Sequence, residues 1–320
     1  MLNGSPAASS IPKSTQDLIF AAAKKFNYRP NFLARSLRVR RTFAVGVLMP
    51  ELSEGYSSLV LAGIEEFLSG VGYMYLATSH HHKQEQIVEN TSLLLERGVE
   101  GIIAVDTPLS LVPGWLQTIS VSGHERIPGA TSVVLNHDAA ANLALRHLTD
   151  LGHREIAVIK GQSFSSDSEV RFQAILSAAA KLGLSIPADR VAQLEGDSPS
   201  PATGYDAARK LLECGTPFTA LFSFNDISAM GAMRAFQDAG LRVPLDVSVV
   251  GFDDVLGAAY HTPSLTTIRQ PLRKMGMIAA EMLLKRLGAD AEEWPDFIEV
   301  EPDLLVREST GPAPVAKAQR

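Results

Sequence analysis

Residues 219–254 read TALFSFNDISAMGAMRAFQDAGLRVPLDVSVVGFDD. The apolar run Ala220–Phe224 is typical of a strand that is buried on both faces, and Ile227–Ala239 has the spacing of an amphipathic helix. A second apolar strand follows at Val247–Phe252. Because a helix of this length separates two buried strands, the stretch predicts a right-handed βαβ crossover in a parallel sheet.

The same alternation of strands and helices extends outward from this unit in both directions. The first half of the chain predicts strands at Phe43–Met49, Tyr73–Ala77, Gly101–Val105, Thr118–Val121 and Ser132–Leu135, with helices at Ser58–Ser69 and Gln84–Arg97. The second half adds strands at Ile156–Lys160, Val191–Leu194, Leu265–Arg269 and Phe297–Val300, and helices at Ala139–Leu151, Val170–Leu182, Gly204–Glu213 and Leu272–Leu287. The sequence therefore predicts an α/β protein with two doubly wound parallel-sheet subdomains.

Length and composition exclude several classes of protein. The chain has 320 residues, of which 46% are hydrophobic and 20% charged, as in ordinary globular proteins rather than disordered or fibrous ones. Cys214 is the single cysteine, so the sequence provides no disulfide framework. No apolar run approaches the ~18 residues that a membrane helix needs, and no signal peptide is recognisable. We therefore predict a cytoplasmic protein without a membrane partner.

Motifs that carry catalytic or cofactor chemistry are absent from the sequence. It contains no glycine-rich nucleotide fingerprint, no metalloprotease motif and no serine-nucleophile motif. The cluster His80-His81-His82 follows a predicted strand and lacks a nearby set of metal ligands, which favours a solvated loop. Asp253 and Asp254 are adjacent, so their side chains diverge. We predict no enzymatic activity, no catalytic residue, no metal site and no cofactor.

Charge is distributed unevenly along the chain. Residues 1–45 contain eight basic residues and one acidic residue, a net charge of +7, whereas the remaining 275 residues carry −13. This asymmetry is typical of a nucleic-acid-binding arm on an acidic body. A solvated basic helix would produce the same composition, so composition alone leaves both interpretations open.

Motifs in a fixed order cover nearly the whole chain. They include Tyr28-Arg29-Pro30-Asn31, Gly63-Ile64-Glu65, Val99-Glu100-Gly101-Ile102-Ile103, Leu151-Gly152-His153-Arg154, Asn225-Asp226, Val249-Val250-Gly251-Phe252-Asp253-Asp254 and Leu265-Thr266-Thr267-Ile268. In this order they resemble the LacI/GalR-type transcriptional regulators, the lactose and purine repressor family. The resemblance implies a DNA-binding headpiece, a hinge helix and a core similar to periplasmic sugar-binding proteins.

The resemblance also implies a division of the chain. Residues 1–42 correspond to the third headpiece helix and the hinge helix, residues 43–135 plus 265–290 to the N-terminal core subdomain, and residues 136–264 plus 291–310 to the C-terminal core subdomain. Residues 311–320 are predicted to form a disordered tail. The family's headpiece starts with a helix-turn-helix that reads the major groove, and its first two helices are missing here. This predicts either a late start-codon assignment or a truncated, weakly DNA-binding form.

The basic segment is where the resemblance implies DNA contacts. The stretch Asn31–Arg38 matches the family's hinge helix, which folds at the minor groove and wedges a leucine into a base step. Leu33 and Leu37 share one face of this stretch, flanked by arginines that neutralise phosphates. The other interpretation is that both leucines pack on the core. The predicted DNA-binding residues are Tyr28, Arg29, Asn31, Ala34, Arg35, Leu37 and Arg38.

The cleft between the core subdomains is where the resemblance implies a small-molecule effector. Asn225 and Asp253 follow predicted strands, at the carboxyl ends where α/β proteins bind ligands, and Arg171 matches the family's effector arginine. A structural salt bridge is the alternative for Arg171 and Asp253, and a turn-capping role that satisfies local backbone donors is the alternative for Asn225. Ser57 stands where the family often has an aromatic residue, so the effector's identity is not carried over. The predicted effector-binding residues are Tyr56, Ser57, Arg171, Asn225 and Asp253.

The motifs together predict a ligand-responsive transcriptional regulator, a repressor that acts as a homodimer on pseudo-palindromic operator DNA. A sugar-like or nucleoside-like effector between the subdomains would control operator binding. The alternative is a small-molecule-binding module of the same fold that has lost DNA binding by truncation. The family includes members that respond to inducers and members that respond to corepressors, and the sequence favours neither.

Overall fold

The computed structural model describes residues 11–28, 36, 41–52, 55–114, 116–196, 200–288 and 294–314. The strands in this part of the chain are β1 (Ala44–Met49), β2 (Met74–Ser79), β3 (Ile102–Val105), β4 (Thr118–Val121), β5 (Thr131–Leu135), β6 (Ile156–Lys160), β7 (Val191–Gln193), β8 (Ala220–Ser223), β9 (Ser248–Asp253), β10 (Thr266–Arg269), β11 (Phe297–Val300) and β12 (Asp303–Leu305). The α-helices are α1 (Lys13–Lys25), α2 (Tyr56–Gly70), α3 (Gln84–Glu96), α4 (His137–Asp150), α5 (Ser166–Lys181), α6 (Pro201–Glu213), α7 (Asp226–Asp238), α8 (Leu256–Tyr260) and α9 (Leu272–Gly288).

The strands form two six-stranded sheets with equivalent topology. The first sheet has the order β11-β5-β4-β3-β1-β2 and the second has the order β12-β10-β9-β8-β6-β7. All the strand pairs are parallel except β10 with β12. The strand order reverses between β1 and β3 in one sheet and between β6 and β8 in the other, as in doubly wound folds. The predicted fold class is therefore confirmed.

Buried strands explain why the apolar runs decide the fold. Every residue of β1, β3 and β9 is buried, because helices cover parallel sheets on both faces. The predicted strand at Ile156–Lys160 has the same bounds as β6, and the predicted helix at Leu272–Leu287 differs from α9 by one residue.

Close helix packing recurs in the two subdomains. Helix α9 packs against α2, and a Cβ atom added at Gly63 or Gly276 would overlap the backbone of the facing helix. Helix α6 packs against α7 in the same way through Gly204 and Gly231. Since glycine alone lacks a Cβ, these positions let the paired helices approach to backbone contact.

The division of the last third of the chain differs from the predicted one. Strand β10, predicted within the N-terminal subdomain, pairs with β9 and β12 in the second sheet. Strand β11, predicted within the C-terminal subdomain, continues the first sheet, with Phe297 opposite Ser132. The chain therefore crosses between the sheets after β5, after β10 and after β11. Strand patterning does not reveal which sheet a strand joins, because four residues are too few to specify one of two similar sheets.

The start of the predicted tail is anchored rather than frayed. The Gly311 carbonyl oxygen lies 3.0 Å from Nε2 of the buried His153, and the Ala313 amide donates to the Leu151 carbonyl oxygen. These bonds tie residues 311–313 to the second subdomain. Residues 315–320 lie outside the described part of the chain.

Helix α1 precedes the core and has no buried residue. Tyr28, just after this helix, is 56% exposed. The other predicted DNA-binding residues, Arg29, Asn31, Ala34, Arg35, Leu37 and Arg38, lie outside the described residues, so their roles stay predictions. None of the described helices combines the length and apolar character needed to cross a bilayer.

Candidate functional site

A cleft lies between the two sheets, at the carboxyl ends of strands on either side of each strand-order reversal. It encloses about 710 Å³ of empty space, counted out to its open mouth. Both subdomains line the cleft, and all five residues predicted to bind an effector are among the lining residues: Tyr56, Ser57, Arg171, Asn225 and Asp253. The switch points of doubly wound sheets are the places where this fold binds ligands.

Arg171 forms the rigid centre of the second subdomain's wall. Its guanidinium carbon lies 3.7 Å from the centroid of the Phe252 ring and 4.3 Å from that of Phe224. Nη1 donates to the Phe224 carbonyl oxygen at 2.5 Å, and Nη2 donates to Asp167 at 3.2 Å. Within the described residues, the buried Nε has no hydrogen-bond partner. The aromatic rings and the two bonds hold the guanidinium in one orientation, which suits a planar donor for a ligand.

Asp253 ends strand β9 beside Arg171, and its backbone has a φ of +109°, a conformation that non-glycine residues rarely adopt. Its Oδ1 accepts a hydrogen bond from Gln270 Nε2 at 2.6 Å. Burial raises the pKa of Asp253 to about 7, against the lowering effects of Arg171 and Gln270. The structural salt bridge that was the alternative for Arg171 is formed with Asp167, at 3.2 Å. The ion pairs of the described residues include none between Arg171 and Asp253.

Asn225 is the N-cap of α7. Its Oδ1 accepts from the Ser228 amide at 2.8 Å, and the Ser228 hydroxyl faces the Asn225 amide in return, which completes a capping box. The Asn225 side chain therefore satisfies a local backbone donor, as the alternative interpretation expected, and the element that it caps is a helix. Capping occupies the side-chain oxygen and leaves the amide NH₂ group as the donor at the cleft wall.

Tyr56 and Ser57 open helix α2 on the first subdomain's wall. Gly55 precedes them with a φ of +108°, which turns the chain from β1 into the helix. The Tyr56 hydroxyl donates to Ser122 Oγ at 2.5 Å. Burial raises the pKa of Tyr56 well above its ordinary value, so the phenol is neutral. Ser57 is buried and contributes a hydroxyl group at the position where the family often has an aromatic residue.

Sequence reasoning missed several residues of the cleft. Asp106 follows β3 and Gln162 follows β6, so the rule of carboxyl ends, applied to every predicted strand, would have found both. Burial raises the pKa of Asp106 to about 6. Phe164 and His82 belong to loops of different subdomains, and their rings meet with centroids 3.9 Å apart. No local pattern signals that contact.

Hydrogen bonds across the cleft hold the N-terminus of α5 against the first subdomain. Asp106 Oδ1 accepts from the Ser166 hydroxyl at 3.0 Å and from the Ser166 amide at 3.3 Å. The same hydroxyl also lies 2.5 Å from the Ser122 carbonyl oxygen. A carboxylate at a helix N-terminus is additionally favoured by the helix dipole. The subdomains are thus linked at the floor of the cleft.

A group of two histidines and an aspartate lies beside this link. Asp167 Oδ1 is 2.5 Å from His124 Nε2 and 3.4 Å from His137 Nε2. Burial raises the pKa of Asp167, but the bonds from both histidines and the charge of Arg171 outweigh it and hold the pKa well below its ordinary value. Burial lowers the pKa of His137. Asp167 is therefore the anionic group at the floor of the cleft.

The histidine cluster at residues 80–82 is not the solvated loop that the sequence favours. His80 is fully buried, with Nε2 2.9 Å from the Thr107 hydroxyl and Nδ1 accepting from the His82 amide. Burial, with the neighbouring histidine charges, lowers the pKa of His80 to about 4. His81 is exposed, so the three rings face different environments.

Comparison with known proteins identifies the family. The periplasmic binding protein-like domain family matches residues 145–310. The transcriptional repressor PurR of Yersinia pestis is 32% identical over 318 residues, which are 97% of this chain and 92% of that protein. A LacI family transcriptional regulator from Mycobacterium smegmatis has a TM-score of 0.73 at 28% identity and covers 84% of this chain and 99% of that one. The chain belongs to the LacI/GalR family of transcriptional regulators.

Another similar structure contains a ligand. It is the transcriptional regulator CelR in complex with cellobiose, with a TM-score of 0.74 at 26% identity, covering 96% of this chain and 93% of that one. The predicted family and function are confirmed: this LacI/GalR-family chain is a ligand-responsive transcriptional regulator of the repressor type.

Proposed function

We propose that this LacI/GalR-family chain is a homodimeric repressor of pseudo-palindromic operator DNA, controlled by a sugar-like or nucleoside-like effector in the cleft. We assign effector binding to Tyr56, Ser57, Arg171, Asn225 and Asp253. The observation that carries the proposal is the convergence of these five side chains, from both subdomains, on one cleft. The cellobiose complex of CelR supports a sugar-like effector.

The chemistry of the walls supports a ring that carries several polar groups. Arg171 supplies a fixed fork of donors, Asp253 supplies acceptors, and the Asn225 amide supplies a further donor. Phe224 and Tyr56 supply flat apolar faces on which a sugar or base ring can rest. A few convergent polar groups within an apolar pocket are the usual composition of a small-molecule site.

Control of DNA binding follows from the position of the cleft. An effector that contacts both walls has a higher affinity for one arrangement of the subdomains than for another. It therefore shifts the population toward that arrangement, and the ratio of its two affinities sets the size of the shift. Because the basic segment precedes β1 in the chain, a change in the subdomain arrangement alters the spacing of the two DNA-binding segments in a homodimer.

The effector is tested by titration calorimetry with a panel of sugars, nucleosides and nucleobases. We expect saturable heat for one class, and the ligand recovered chemically unchanged, because the cleft binds and releases it. Arg171→Lys loses the planar fork and its stacking on two rings, so we expect at least tenfold weaker binding. Arg269→Lys, a partly exposed arginine on β10, is the matched control. Equal affinity of the Arg171→Lys and unsubstituted proteins would contradict the assignment.

DNA control is tested with fluorescent operator fragments. We expect two chains to bind each pseudo-palindromic site and the identified effector to change the affinity at least fivefold. Effector binding without any effect on DNA would instead support the module that has lost DNA binding.

A further inference from the structure

Three metal-ligating side chains from three separate elements meet at the floor of the cleft. His124 follows β4 in the first subdomain, His137 starts α4, and Asp167 belongs to the first turn of α5 in the second subdomain. Each offers one ligand atom, and these atoms all lie within 4.8 Å of one another. Two imidazole nitrogens and a carboxylate oxygen are a donor set that suits Zn²⁺.

The positions of the polar atoms around Asp167 suit a metal ion bound by His124, His137 and Asp167 as well as direct hydrogen bonds among the three side chains. Both histidines approach the same oxygen, Oδ1, whereas Oδ2 accepts from Arg171 Nη2 at 3.2 Å. A ligating carboxylate is typically oriented by a second-shell donor of this kind. In His137, Nε2 is the ring nitrogen that faces Asp167, and the other ring nitrogen, Nδ1, has no partner among the described residues.

The distances require only a small adjustment. Ligands around a tetrahedral ion with bonds of about 2.0 Å lie about 3.3 Å apart. His137 Nε2 and Asp167 Oδ1 are 3.4 Å apart already, and the 2.5 Å contact of His124 with Oδ1 lengthens when the ion takes its place. The His124 side chain is 18% exposed and belongs to the loop after β4, so it has room to move.

Nearby charges also admit a cation. Arg171 opposes a positive ion, but Asp106 and Asp253 face the same cleft as Asp167. Asp167 is part of the cleft wall, so an ion reaches the site from the ligand's side.

We propose that His124, His137 and Asp167 bind one Zn²⁺ ion, which joins the two subdomains at the floor of the cleft. Three protein ligands leave a fourth tetrahedral position for water or for a polar group of a bound molecule. Because His124 belongs to one subdomain and the other two ligands to the second, the ion stabilises the observed arrangement of the two subdomains. The proposal does not depend on the identity of the effector.

The test is zinc titration of the untagged, EDTA-treated chain in a Cys214→Ser background, which removes the exposed thiol as a competing ligand. We expect one Zn²⁺ per chain by calorimetry, and Co²⁺ bound at the same site with the visible absorption of a tetrahedral ion. His124→Gln and His137→Gln are each expected to weaken Zn²⁺ binding at least tenfold. His81→Gln, at an exposed histidine, is the matched control and should bind zinc as before.

Hydrogen exchange locates the ion and adds a readout that does not require the variants to be equally stable. Zinc is expected to slow amide exchange both in the loop 122–130 and at the start of α5, because it connects them. Unchanged zinc affinity in His124→Gln, loss of binding in His81→Gln, or protection confined to residues 80–82 would each overturn the proposal.

Discussion

Asp253→Asn is expected to make the folded protein more stable and a poorer binder of its effector. The carboxyl of Asp253 is buried, and its folded-state pKa is about 7 rather than the ordinary 3.8. In the unfolded chain it ionises at its ordinary pKa, so the unfolded state loses its proton at a lower pH than the folded state. Wild-type stability therefore contains a penalty that is absent below about pH 4 and grows as the pH rises toward 7. Asn carries no such penalty and keeps the size of the side chain.

The destabilising contribution follows from the pKa difference. Each pKa unit corresponds to about 1.4 kcal/mol. With pKa values of 3.8 and about 7, the contribution is about 2 kcal/mol at pH 5 and about 4 kcal/mol at pH 8. The unfolding free energy of Asp253→Asn relative to wild type is therefore expected to grow by about 2 to 3 kcal/mol between these pH values.

Urea denaturation at pH 5 and pH 8 measures this difference, with calorimetry on the same samples for the effector. Asp303→Asn, which changes a largely exposed carboxylate on β12, is the control and should show no comparable pH-dependent gain. A variant whose stability relative to wild type is the same at both pH values would refute the burial argument. Full retention of effector affinity would refute the role of Asp253 as an acceptor in the cleft.

Three other perturbations test the packing, the buried histidine and the link across the cleft. Gly63→Ala is expected to destabilise the protein by about 2 kcal/mol or more, since its Cβ overlaps the backbone of α9. His80→Gln is expected to reduce the loss of stability on acidification from pH 6.5 to 4, because the folded-state pKa of His80 is lowered to about 4 and the unfolded chain takes up the proton first. Ser166→Ala removes the hydroxyl that donates to Asp106 and is expected to weaken effector binding severalfold, mainly through faster dissociation.

Each of these changes has a matched control in the chain. Gly70→Ala lies on the same helix as Gly63, and its Cβ would meet nothing within 4 Å, so a thermal melt should be unchanged. His81→Gln removes an exposed ring and is the control for His80→Gln in the acid titration. Ser69→Ala removes a hydroxyl whose hydrogen bond stays within α2, so it is the control for Ser166→Ala. Equal effects in a variant and its control would show that the contact in question contributes nothing specific.

Fold class and much of the cleft were predictable because both depend on short-range patterns. Strands such as β6 and β9 are buried on both faces, so they appear as uninterrupted apolar runs. Asp253 and Asn225 directly follow such runs, and parallel strands end at one edge of a sheet. Arg171 was found differently, through its match to a family motif, since nothing local distinguishes it from other helical arginines.

The membership of β10 and β11 in their sheets was not predictable from the same patterns. Each is a short strand of four residues, and neither the sequence of β10 nor that of β11 specifies which sheet it joins. Strand β10 pairs with β9 in the second sheet, the next helix, α9, packs on α2 in the first subdomain, and β11 then pairs with β5. Such long-range contacts leave no periodic trace in the sequence.

The sequence by itself determined the alternation of strands and helices, the two parallel sheets, the family and the location of a ligand cleft at the strand ends. Hydrophobic periodicity and turn chemistry encode the strands, helices and strand ends locally, whereas the family follows from the order of its motifs along the chain. Only the tertiary structure decided that His124, His137 and Asp167 meet at one point and that Asp106 receives Ser166 across the cleft. These side chains come from elements far apart in the chain, and the relative placement of the two subdomains brings them within bonding distance.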